Sequence, residues 1–359
     1  MNKKGILPAV FVMAGTLAVC QLPAVRAYMQ EVKQTPPGVS AALQQADAVP
    51  AMAGFGGSSS GSGASVVRKE MAKQKRVDRQ QLLATIQEEA KTLYRAPIDA
   101  KVDRVWKAIP GYNGREVDVE KTLQLAEQAP AGQPVRYLFR EIPPKVHLSD
   151  LGAHPVYKGN PEKPMAALMI NVAWGDEYLP RMLDILKKEN VHATFFFDGS
   201  WLSKHVETAK EIQAQGHELS NHAYSHKNMS TLSRQQAIEE ISKTEKLLTE
   251  QLGVSNTLFA PPSGDFDQET VKIARELKLQ TVLWTIDTVD WRNPAPEQIL
   301  AKLSRTMEPG ALILMHPTKS SSAALEGIIR IIKQKGLALG TVSELLSPER
   351  VPETETKLP

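Results

Sequence analysis

Between residues 160 and 346 the chain alternates short apolar strand patterns with helical ones, and that alternation leaves few folds open. The strand patterns fall at 166–172, 192–197, 217–220, 258–260, 280–286, 311–315 and 337–342, each followed by a helical pattern. The punctuation agrees. Pro180 and Pro296 stand where helices begin, Ser233 with Gln236 forms a capping-box pattern, and Gly216, Gly253 and Gly336 follow helix ends. Repeated βα units in so short a length predict an α/β fold, a distorted or incomplete (β/α)7 barrel. In such barrels the reactive groups stand where strands end.

Polar clusters occur at those ends. Gly216-His217-Glu218-Leu219-Ser220-Asn221-His222-Ala223-Tyr224-Ser225-His226 accompanies one strand, and Phe259-Ala260-Pro261-Pro262-Ser263-Gly264-Asp265 the next. Asp287-Thr288-Val289-Asp290-Trp291 and Leu314-Met315-His316-Pro317 follow two more. Taken singly, each has a plain structural reading: His316 as a satisfied buried histidine, Trp291 as core. In this order and spacing they resemble the motifs of the polysaccharide deacetylases, the NodB homology or carbohydrate esterase 4 family, over residues 165–346. The resemblance is greatest to a subgroup associated with endospore-forming bacteria, in which Asn171-Val172-Ala173-Trp174-Gly175 also fits.

That resemblance implies hydrolysis of the N-acetyl amide of a cell-wall amino sugar, in peptidoglycan or a chitin-like glycan, by one divalent metal, zinc or cobalt. The metal polarises the carbonyl and activates a water, which needs a base to take its proton. Carried over by position, His222 and His226 would be metal ligands, and their four-residue spacing lets both imidazoles point to one centre. His316 would be the general acid and Asp290 its charge partner. Trp291, Leu314 and Pro262 would line the substrate groove.

In that family two adjacent aspartates and a glycine end the first strand, and here the aspartate pair is missing. Matching the glycine to Gly175 puts Ala173 and Trp174 in their place; matching back from Pro180 puts Asn171 and Val172 there. Either way base and metal ligand go together, and Ala260 replaces the arginine that would orient the base. Asp176 is the substitute metal ligand the sequence offers, if Gly175 turns the chain back over the roughly 7 Å that separates it from Trp174. Without a base the usual mechanism loses about 10²- to 10⁴-fold, and any metal is held weakly. A non-catalytic glycan-binding protein is therefore the alternative to a divergent hydrolase.

The rest of the chain reads as delivery and spacing. Lys3 and Lys4, the apolar run 6–22 and Val25-Arg26-Ala27 have the order of a secretory signal, so residues 1–27 are a cleaved signal or a retained anchor, and the protein is exported. Cys20, the single cysteine, lies inside that run. Residues 28–66, rich in glycine, serine and alanine, read as a flexible linker. Residues 67–158 form a small α+β segment: a helix on the Leu82, Ile86, Ala90, Leu93 stripe ended by Pro97, a turn at 110–114, a short helix capped by Asp118 and running through Leu125, and a strand at 135–139. Residues 114–144 resemble wall-associated modules that bind peptidoglycan; a docking or spacer role is the other reading. The deacetylase-like domain spans 159–346 and a tail 347–359. A net charge of +3 is too small to argue for nucleic acid, and beyond the N-terminal segment no stretch is apolar enough to span a membrane.

Overall fold

The computed structural model describes residues 63–351 except Ala131; the expected signal or anchor at 1–27 and most of the expected linker lie outside the described residues. The described residues from Val67 to Val351 belong to one compact unit. It opens with α1 (Gly63–Leu93), whose helical stretch already includes the last residues of the stretch read as linker. Its C-terminal half is packed: Ile86 is fully buried, and Leu82, Leu83, Ala90 and Leu93 join Val117 and Leu123 in a small core.

Two antiparallel pairs follow, β1 (Lys101–Asp103) with β2 (Lys107–Ile109) and β3 (Gly114–Val117) with β4 (Phe139–Ile142). Between the second pair runs α2 (Val119–Gln128), capped by Asp118, whose side chain accepts the Lys121 N–H at 3.1 Å. Two expectations need correction. Residues 110–114 are extended rather than turned, because Tyr112 pairs with Ile98 and Arg115 with Arg95. Gly114 is required there: a Cβ would stand 2.5 Å from the Arg95 carbonyl oxygen. The strand lies at 139–142, not 135–139, since the apolar alternation of Val135 and Tyr137 packs against the small core while β3 sets the ladder further on.

The large domain is a curled parallel sheet wrapped by helices, an open α/β half-barrel. Its strands are β5 (Met165–Val172), β6 (Thr194–Phe197), β7 (Glu218–Asn221), β8 (Leu258–Phe259), β9 (Gln280–Thr281), β10 (Ile286–Asp287), β11 (Leu312–Met315) and β12 (Ala338–Gly340). They run in the order β10-β11-β5-β6-β7-β8-β9, with β12 pairing the start of β5. All eight residues of β5 are buried because both its faces are covered. Ala166, Leu168, Ile170 and Val172 pack with helix residues, whereas Met165, Ala167 and Met169 pack inward with Phe196, Ala260 and Leu312.

The helices are α3 (Leu179–Glu189), α4 (Gly199–Leu202), α5 (Val206–Ala214), α6 (Arg234–Leu252), α7 (Gln268–Glu276), α8 (Pro296–Thr306), α9 (Lys319–Gln334) and α10 (Val342–Leu346). Their punctuation is as expected. Ser233 and Gln236 close the capping box of α6, and Gly253 ends that helix in the left-handed region.

The expected strand at 280–286 is two strands, β9 and β10, at opposite edges of the sheet. The chain crosses the open side of the barrel between them, and the approach segment fills that gap. Val156 donates to the Thr281 carbonyl and accepts from the Leu283 N–H, while Lys158 bridges to Ala311. A ladder that borrows its partner from a distant part of the chain leaves no trace in a local pattern.

At the N-terminal end of β7, His217 is 6% exposed, accepts the Ala193 N–H at Nδ1 and leaves Nε2 without a partner among the described residues. Burial, with His192 nearby, pulls its pKa down from 6.5 to about 4. Between those values the unfolded chain binds the proton that the folded chain refuses, so stability rises with pH there and falls on acidification. The chain is expected to lose about 3 kcal/mol from this group as pH drops from above 6.5 to below 4. His217→Gln should remove that slope from urea melts; an unchanged pH profile would contradict it.

Candidate functional site

The C-terminal ends of β5, β7, β8 and β11 bring the site together. His222 follows β7 and is buried, 1% exposed. Its Nδ1–H donates to the Ala260 carbonyl at 2.7 Å, and its Nε2 faces the Asn171 amide nitrogen at 3.5 Å. Burial first, then the neighbouring His226, hold its pKa down at about 3, against the opposing Ala260 carbonyl. It is a neutral imidazole with the Nε2 lone pair turned inward.

His226 sits on a tight loop rather than a helix, and the rings of His222 and His226 stand edge to face at 5.2 Å. The loop holds two non-glycine residues in the left-handed region, Ala223 and His226, a conformation that needs support. Glu240 of α6 supplies it, accepting the backbone N–H groups of Tyr224 (3.1 Å) and Ser225 (2.8 Å) and the Ser225 hydroxyl (2.6 Å). Thr244 adds a hydroxyl to the Ala223 carbonyl at 2.7 Å.

His316 and Asp290 form a buried couple. The His316 backbone N–H donates to Asp290 Oδ2 at 2.6 Å and its Nδ1 lies 2.8 Å from Oδ1. Asp290 is fully buried in a single 3-10 turn, and the next residue, Trp291, is 49% exposed with the Arg292 guanidinium over its ring. Of the three expected groove residues, Trp291 alone is exposed; Leu314 and Pro262 are buried.

Trp174 is what the sequence could not place. β5 ends at Val172, and Gly175 takes a φ of 86° so close to the loop after His316 that a Cβ would stand 1.9 Å from the Pro317 oxygen. Pinned there, the chain lays the Trp174 indole flat on His316, centroids 5.3 Å apart, and edge-on to His226 at 6.2 Å. Val172, by contrast, is in the core behind the sheet. Each match thus leaves one side chain at the histidines, Asn171 against His222 and Trp174 against His316, and neither is a carboxylate.

Asp176 does not join the histidines. Its carboxylate accepts the Trp201 indole N–H and lies 3.3 Å from His205 Nε2, because the turn at Gly175 carries it over to α4 and α5. Among the described residues no group of three or more His, Cys, Asp or Glu is placed to hold a metal ion. Two imidazoles with an indole beside them do not make a catalytic zinc set, which takes three protein ligands. One residue escaped the sequence reading: Asp198, just past β6. It is 2% exposed, its Oδ2 has no partner among the described residues, and burial raises its pKa despite the pull of His226. Its position immediately after a strand was the available signal.

An open parallel barrel with histidines and a His–Asp couple at its strand ends is what the resemblance to the polysaccharide deacetylases implies. The polysaccharide deacetylase model matches residues 158–282 and a peptidoglycan binding domain model residues 46–136. The YlxY protein of Bacillus subtilis is 45% identical over 255 residues, 71% of this chain and 80% of that one. BA3943 of Bacillus anthracis, a CE4 family pseudoenzyme, is 43% identical with a TM-score of 0.70, over 75% of this chain and 96% of that one. A mutant of it with restored enzymatic activity matches at 42% identity and the same TM-score of 0.70, over 75% of this chain and 99% of that one. A peptidoglycan-N-acetylglucosamine deacetylase of Bacillus cereus is 33% identical over 179 residues, 48% of this chain and 65% of that one. The chain belongs to the polysaccharide deacetylase family, carbohydrate esterase family 4.

Proposed function

We propose that this chain is an exported cell-wall protein that binds amino-sugar glycan at its strand ends without hydrolysing it by the family's usual route. One observation carries the reading: the Trp174 indole lies on His316, where the family has a carboxylate. His316 keeps its Asp290 partner, and Trp291 keeps an exposed face suited to stacking on a sugar ring. Losing the base alone removes about 3–5 kcal/mol of barrier lowering. The B. anthracis relative, a pseudoenzyme with a similar fold, supports the view that this scaffold can be kept when turnover is lost. Residues 1–27 would deliver the chain across the membrane. Sporulation remains a proposal resting on the subgroup resemblance.

Family members that turn over substrate use a metal for carbonyl polarisation and water activation. Here His222 and His226 would hold zinc or cobalt weakly. A divergent hydrolase is the second reading, favoured by the unpartnered oxygen of buried Asp198 near His226.

One set of measurements on the purified chain separates the two. Calorimetry with chitooligosaccharides is expected to show binding, weakened about tenfold in Trp291→Ala, with no acetate released. Zinc should bind below stoichiometry and be lost in His222→Ala. Stoichiometric zinc together with acetate release would overturn the reading.

A further inference from the structure

We propose that the strand-end site takes the de-N-acetylated sugar: the corner made by Asn171, Asp198 and His222 receives the ammonium of a glucosamine unit in preference to an acetamide. This rests on the reading that the strand ends bind amino-sugar glycan, and it names which form of the sugar they take. All three residues continue the inward-facing rows of adjacent strands. Asn171 stands two positions past Met169 on β5, Asp198 two past Phe196 on β6 and His222 two past Ser220 on β7. The rows lie side by side, since the Asp198 N–H donates to the Val172 carbonyl at 3.0 Å and the His222 N–H to the Phe197 carbonyl at 2.9 Å.

What the corner offers is acceptors. Asn171 Oδ1 and Asp198 Oδ2 are buried and have no hydrogen-bond partner among the described residues. His222 commits its Nδ1 proton to the Ala260 carbonyl at 2.7 Å, so its Nε2 presents a lone pair, with the Asn171 amide nitrogen at a distant 3.5 Å. An ammonium carries three N–H donors and a positive charge, which suits two oxygens, one of them a carboxylate's, and an imidazole lone pair. An acetamide brings one N–H and a carbonyl oxygen that itself needs a donor. The divalent metal of active family members would meet that oxygen, but here His222 and His226 lack the third ligand that would hold one firmly. Size points the same way. Both oxygens are buried, so the group that meets them must be compact, and an ammonium is smaller than an acetamide.

The full chain is titrated by calorimetry with glucosamine oligomers and with N-acetylglucosamine oligomers of the same length, at physiological salt so that diffuse attraction is screened. A net charge of +3 already opposes non-specific uptake of a cationic oligomer. The wild type is expected to bind the glucosamine form about tenfold more tightly. Asp198→Asn keeps the volume and the oxygen that accepts the Trp201 N–H at 3.0 Å, and it should bring the two affinities together. Melting curves check its fold, and the wild-type comparison decides the matter even where the variant does not fold. Trp291→Ala should weaken both sugars by a similar factor and leave their ratio unchanged. Equal wild-type affinities, or a preference for the acetylated form, overturn the ammonium corner while glycan binding stands. A preference that survives in folded Asp198→Asn overturns it as well. Binding of neither sugar overturns the glycan-binding reading and the corner with it, so the two failures are told apart.

Discussion

Replacing Ala173 and Trp174 by aspartates and Ala260 by arginine is expected to raise acetate release from chitooligosaccharides by about 10²- to 10⁴-fold over the unmodified chain, the span that a general base supplies. The same variant should bind zinc at stoichiometry, because an aspartate at 174 gives His222 and His226 the third ligand they lack. Two features favour it. Trp174 is 44% exposed, so its removal opens surface instead of leaving a cavity, and it frees both His316 and His226 of the indole. His222 is already held in the right tautomer by the Ala260 carbonyl, a backbone contact that arginine at 260 retains. The difficult step is Ala260 itself, fully buried in the inner core, where a guanidinium needs the new aspartate as partner. Trp174→Asp alone tests the metal site free of that difficulty. A folded triple variant that binds zinc and releases no acetate would show that the groove, too, has diverged, and would leave the binding role alone.

What was legible in the sequence follows from range. The order of strands and helices, the caps at Ser233 and Gly253 and the buried run of β5 all depend on neighbours a few residues apart, and the structure has them. The ends of β7 and β11 were legible for the same reason. Features set by distant partners were not. Residues 280–286 divide because Val156 and Lys158 occupy the gap between the halves. Residues 110–114 run straight because Arg95 and Ile98 pair with them. Asp176 turns outward because Gly175 is locked against Pro317, a contact across 142 positions, and because Trp201 and His205 await its carboxylate. The direction of Trp174 depends on the same lock. The sequence showed that the aspartates were gone; only the packing shows that a ring now lies on His316 in their stead.

Asp290→Ala is expected to destabilise the chain by about 3 kcal/mol, roughly 6–12 °C in Tm for a domain of this size. The carboxylate is fully buried and receives two hydrogen bonds from His316, one from the backbone and one from the ring. Alanine leaves both donors in a place that water does not reach, and an unmet buried donor costs about 1–3 kcal/mol. The loss should not stop at stability. His316 carries the Trp174 indole, so freeing the imidazole should also change the indole's environment, read as a shift in tryptophan emission, and weaken glycan binding. Asp290→Asn separates shape from charge: it keeps the volume and one acceptor, so it should lose about 1 kcal/mol and most of the stack should survive. An alanine variant that melts with the wild type and keeps its emission would mean that the His–Asp couple does not fix the strand ends. In that event Trp174 would have to be positioned by Gly175 and Pro317 alone.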